Sequence, residues 1–141
     1  MKNDPINFIL NKDFKLNKKI YFISGNEITL MEKIREKIIK NYQKNENVLL
    51  ENINLVDDFN DTDGLFGEKK IYLVKNCKGL DELTLNKIKS SNNVFIFVQE
   101  NSQKLKNLKT MLIKDSEVSL VDCYQLDKSA KSRVLNEFFK L

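Results

Sequence analysis

Four short apolar runs punctuate the chain: Ile20, Tyr21, Phe22 and Ile23; Ile71, Tyr72, Leu73 and Val74; residues 94–98 (Val, Phe, Ile, Phe, Val); and Val118, Ser119, Leu120 and Val121. Each is rich in β-branched or aromatic residues, and most are continuous rather than alternating. That is the pattern of strands buried on both faces of a parallel sheet. Val48, Leu49 and Leu50 form a fifth, weaker run. Between the runs the period changes to that of helices. Residues 27–44 place Ile28, Met31, Ile34, Ile38 and Tyr42 on one face, with Glu32, Lys33, Glu36 and Lys37 elsewhere. Residues 80–88 carry Leu80, Leu83 and Ile88 as apolar positions, and residues 104–113 align Leu105, Leu108 and Leu112. A last helix is expected over 127–141, capped by Asp127 and apolar along Val134, Leu135, Phe138 and Leu141.

Strands alternating with helices along the whole length predict an α/β fold. The expectation is a three-layer sandwich around a mainly parallel sheet of about five strands. Ile23, Leu73, Ile96 and Leu120 should be buried in it, with the strand at 20–23 in its interior. No repeat, linker or low-complexity tract divides residues 1–141, which read as one domain. The last helical pattern runs to Leu141 with Phe138 and Phe139 close to the end, which suggests a domain belonging to a longer chain.

Composition narrows the chemistry. The chain has 141 residues, with 24 Lys plus Arg against 20 Asp plus Glu and no histidine. Without histidine there can be no Ser-His-Asp or Cys-His mechanism, and with 2 Cys there is no His/Cys zinc site. Arg35 and Arg133 are the arginines; the other basic residues are lysines. This Lys, Asn and Ile bias is that of an AT-rich genome, so the basic pI is weak evidence for nucleic-acid binding. Cys77 and Cys123 fall at expected strand ends and read as reduced, partly buried thiols. Residues 6–10 are too short for a signal-peptide core and follow Asp4 and Pro5 rather than a basic stretch. No apolar run approaches the ~20 residues of a membrane span. A cytoplasmic protein without membrane contact is expected.

Ligands of α/β sheets bind at the carboxyl ends of strands, so those positions are the first candidates. Ser24 and Gly25 follow the first strong strand. A phosphate loop opening at Gly25 would need Gly, Lys and Ser or Thr at 30, 31 and 32, where this chain has Leu30, Met31 and Glu32. The lysine that meets phosphate is missing, and Glu32 would repel it. After the strand at 71–74 come Lys75, Asn76 and Cys77, with no acid to hold magnesium. A phosphoacceptor domain would want acids after Ile23, and there are none. No cofactor is expected, and no ATPase site.

The acidic stretch over 57–64 fails as a calcium loop. With Gly64 in the turn position it would begin at Phe59 and end at Lys70. It reads instead as a solvated loop. Behind it stand Leu65 and Phe66, bracketed by Gly64 and Gly67, with Asp63 and Glu68 outside. Spacing alone favours a packing role in which both side chains close the sheet's edge. The alternative is an exposed hydrophobic finger, its glycines letting the backbone turn tightly enough to present Leu65 and Phe66 together. Buried in a partner's pocket, each would supply ~1.5–3 kcal/mol.

Taken in order, these segments resemble the delta subunits of bacterial clamp loaders, components of the DNA polymerase III holoenzyme. The resemblance rests on residues 20–27 followed by a long helix, on Leu65, Phe66 and Gly67 leading into residues 69–76, on residues 93–98, and on the closing strand at 118–123 with its helix. It spans nearly the whole chain but only the first of that family's three domains. It implies a RecA-like domain of the AAA-type superfamily, similar to P-loop NTPases but without a working nucleotide site. It also implies a non-catalytic subunit that binds the sliding clamp and helps open it during DNA replication. Leu65 and Phe66 stand where the family inserts a Leu-Phe pair into a hydrophobic pocket of the clamp. The family's lid and collar domains have no counterpart here, so other clamp-loader subunits, and DNA, would be met only through them.

The competing class is a nucleotide- or nucleic-acid-binding domain using the lysine-rich helix over 33–44 against phosphates. Lys33, Arg35, Lys37, Lys40 and Lys44 share that helix with Glu27, Glu32 and Glu36, the mixed charge of an ordinary solvated face.

Overall fold

The computed structural model describes residues 2–10, 17–45, 49–53, 70–75, 82–91, 93–100, 110 and 112–123. In chain order the elements are β1 (Lys2–Asn3), α1 (Pro5–Leu10), β2 (Ile20–Gly25), α2 (Ile28–Asn45), β3 (Leu49–Ile53), β4 (Lys70–Lys75), α3 (Glu82–Ser90), β5 (Val94–Glu100) and β6 (Val118–Cys123). All five expected runs fall on strands, though Val48 of the weakest run lies outside the described residues. With β1 they form one six-stranded sheet in the order β1-β6-β2-β5-β4-β3, and every pairing is parallel.

The continuous apolar runs follow from burial on both sides. Tyr21, Ile23, Ile71, Leu73, Val94, Ile96, Val121 and Cys123 belong to one core, together with Leu30, Met31, Ile34 and Ile38 of α2 and Ile6 and Phe8 of α1. Ile20, Phe22, Tyr72, Val74, Phe95, Phe97, Val118 and Leu120 belong to a second core with Leu85 and Ile88 of α3 and with Leu112. Helices thus cover both faces, giving three layers. On the α3 side the aromatic rings stack across neighbouring strands, with centroids 5.0 Å apart for Tyr72 and Phe95 and 6.1 Å for Phe22 and Phe97. Ile23, Leu73, Ile96 and Leu120 are all buried, as expected.

α2 forms where the 3.6-residue period predicts it. The carbonyl of Glu27 accepts from the amide of Met31 at 3.0 Å, making Glu27 the cap and Ile28 the first helical residue. Ile28 is half exposed, so it sits outside the packed stripe to which the periodicity assigns it. α3 buries Leu85 and Ile88 while Leu83 is 81% exposed, and Leu80 of the expected helix lies outside the described residues. Leu83 and Leu85 are two positions apart, about 200° around a helix, so packing one turns the other outward. The expected helix over 104–113 is described only at Thr110, Leu112 and Ile113, and Leu112 is fully buried. The helix over 127–141 lies outside the described residues.

Two elements were not expected. β1 pairs with β6, and α1 follows at once with Asp4 as its cap. The Asp4 carboxylate accepts from the Ile6 amide at 3.3 Å and the Asp4 carbonyl from the Phe8 amide at 2.9 Å. Pro5, with no amide hydrogen to satisfy, holds the first helical position. Lys37 of α2 reaches over the Phe8 ring to donate to two carbonyls in the last turn of α1, those of Phe8 and Ile9.

Candidate functional site

Among the five longer strands, the first, β2, lies between the last, β6, and the fourth, β5. Neither of the common dinucleotide-binding or flavodoxin-like orders puts the first strand beside the last. The chain leaves β2 toward β3 at one edge of the sheet and leaves β5 toward β6 on the other side of β2. Connections diverge there, so the carboxyl ends of β2 and β5 mark the topological switch where an α/β sheet holds its ligand.

At that place β2 turns into α2 through Gly25, Asn26 and Glu27. The amides of Asn26 and Glu27 both donate to the carbonyl of Cys123, at 3.0 and 2.9 Å. A phosphate-binding loop works by aiming such amides at the anion. Here the end of β6 has taken the two of them. Gly25 makes the approach possible: its φ is +136°, and a Cβ built on it would lie 2.0 Å from the Cys123 carbonyl oxygen. No side chain larger than hydrogen fits against that carbonyl.

The side chains agree with the backbone. Leu30 and Met31, at the places of the loop glycine and lysine, are 4% and 2% exposed in the α2 core. Position 31 therefore points into the protein interior. Glu32 is exposed on the outer side of the helix. β4 ends on exposed Lys75, so at that end too the described structure presents a cation rather than a magnesium-holding acid. Asn76 and Cys77 lie outside the described residues.

On the α3 face, Asp122, Ser24 and Gln99 stand in one row across β6, β2 and β5, paired in register. The Ser24 hydroxyl donates to the Asp122 carboxylate at 2.8 Å, and the buried Gln99 side-chain oxygen has no hydrogen-bond partner among the described residues. Cys123 is a free, buried thiol, as its place at a strand end suggested. Burial, with the Asp122 and Glu27 carboxylates nearby, pushes it up to about 12. Among the described residues no group of three or more Cys, Asp and Glu is gathered to hold a metal ion, and no helix is long and apolar enough to cross a membrane.

The sequence-predicted finger residues Gly64, Leu65, Phe66 and Gly67, and the acidic stretch before them, lie outside the described residues. What is described is the strand they lead into: β4 begins at Lys70, three residues beyond Gly67. The lysine-rich helix is α2, and part of its charge serves the fold. Lys37 caps α1, and Lys33 lies 3.6 Å from Glu36. The switch-point closure escaped sequence reasoning because backbone groups make it; the only signal was a glycine directly after an apolar strand.

The chain matches no protein-family model, and no similar curated protein was found.

Proposed function

We propose that this chain is a RecA-like, P-loop-NTPase-like domain of the clamp-loader delta type, which binds the DNA sliding clamp and helps open it without hydrolysing ATP itself. The observation that carries the reading is the turn after β2. An α/β frame with a strand, glycine and helix at its switch point has that turn closed by its own backbone, with Asn26 and Glu27 both bonded to Cys123. A frame built for nucleotides but sealed at the phosphate position fits a subunit that works by binding. The ordered apolar segments on which the resemblance rests also fall on parallel strands, β2 ending on Gly25.

In this reading Leu65 and Phe66 enter an apolar pocket on the clamp, and Gly64 and Gly67 let the backbone present them. The domain would act as a component of a DNA polymerase holoenzyme, working in the cytoplasm beside other clamp-loader subunits and touching DNA only through them. The test is binding of the cognate sliding clamp by surface plasmon resonance. The wild-type chain should bind, and with little loss between low and moderate salt, because an apolar anchor releases few ions. Leu65→Ser with Phe66→Ser should abolish binding at unchanged melting temperature. A double variant that still binds fully, or that unfolds, overturns the finger.

The other reading, a nucleotide or nucleic-acid binder using α2, is less well supported. Lys37 and Lys33 are engaged within the fold, and Glu32 and Glu36 share the helix surface. It would reveal itself as binding to DNA that falls steeply with salt.

A further inference from the structure

We draw no further inference here: the strongest candidate, the polar row of Asp122, Ser24 and Gln99 at the carboxyl ends of β6, β2 and β5, belongs to the site already described, and nothing in the structure shows what would reach the solvent-sealed Gln99 oxygen.

Discussion

The phenol oxygens of Tyr21 and Tyr42 lie 3.1 Å apart and belong to a closed ring of hydrogen bonds. Tyr42 donates to the carbonyl of Lys18 at 2.9 Å, and the amide of Lys18 donates to Tyr21 at 3.1 Å. Because the Lys18 carbonyl can only accept, the proton of Tyr42 is spent on it, and Tyr21 must be the donor between the phenols. The ring ties the last turns of α2 to the chain entering β2, at the end of the strands opposite the closed turn. Tyr42→Phe breaks two of its bonds and leaves the buried Tyr21 hydroxyl without its acceptor. The expected loss is ~1–3 kcal/mol, read from the urea midpoint at unchanged slope.

Gly25 should tolerate no replacement. Gly25→Ala puts a methyl group 2.0 Å from the Cys123 carbonyl oxygen and forces φ +136° on a residue with a side chain. Backbone strain alone costs ~1–3 kcal/mol, and the clash adds to it by pushing β6 away or twisting the turn open. The variant should melt well below wild type. If its denaturation curve superimposes on the wild-type one, the contact between the turn and β6 is not as close as described.

Alkaline pH should weaken the fold through buried acids that the native state keeps protonated. Burial raises the thiol of Cys123 to about 12, and burial also raises the phenols of Tyr21 and Tyr42 above their ordinary value. In the unfolded chain these groups ionise near 8.5 and 10, roughly. A group whose folded pKa is raised keeps its proton longer in the native state. Its contribution is therefore complete below the unfolded value and is lost as pH rises through the folded one. Stability should fall from about pH 8.5 upward, first through Cys123 and then through the tyrosines. In a Cys77→Ser background, Cys123 should stay unreactive toward a thiol reagent at pH 8 until urea unfolds the protein. Reaction at full rate in the native state would contradict its burial.

The sheet was legible in the sequence for a physical reason. A strand covered on both faces cannot alternate, so residues 20–23, 71–74 and 94–98 had to be continuous apolar runs, and they stand out as such. α1 was equally readable from its start, since Asp4 before Pro5 is a helix cap, but its six residues are too few to display a helical period. β1 could not be read: Lys2 and Asn3 have no apolar signature, and pairing with β6 alone makes them a strand. Leu83 misled because periodicity records which residues are apolar, not which side of a short helix meets the sheet. At the switch point the missing lysine was visible as letters. The bonds from Asn26 and Glu27 to Cys123 join backbone atoms far apart in the chain, so no residue type announces them.

Those bonds decide what restoring the missing letters would do. Met31 holds the place of the phosphate-binding lysine, yet it is 2% exposed and packed with Leu30, Ile34 and Ile38 against the sheet. In a working phosphate loop, the lysine at this place must reach the ligand. Here the turn is too short to bring position 31 round to the strand end, because the amides of Asn26 and Glu27 are held by β6 and the helix begins at Ile28. Met31→Lys therefore places an ammonium in an apolar core. The lysine must either lose its proton or drag α2 outward, and a loss of several kcal/mol follows in either case. Leu30→Gly adds the helix penalty of glycine, about 1 kcal/mol, and removes a packed side chain. The triple replacement Leu30→Gly, Met31→Lys, Glu32→Thr should thus be less stable than wild type and should still give no heat with Mg-ATP in calorimetric titration. Micromolar binding by that variant would mean that the turn opens freely from Cys123, and binding by the wild-type chain would remove the basis for a nucleotide-free domain.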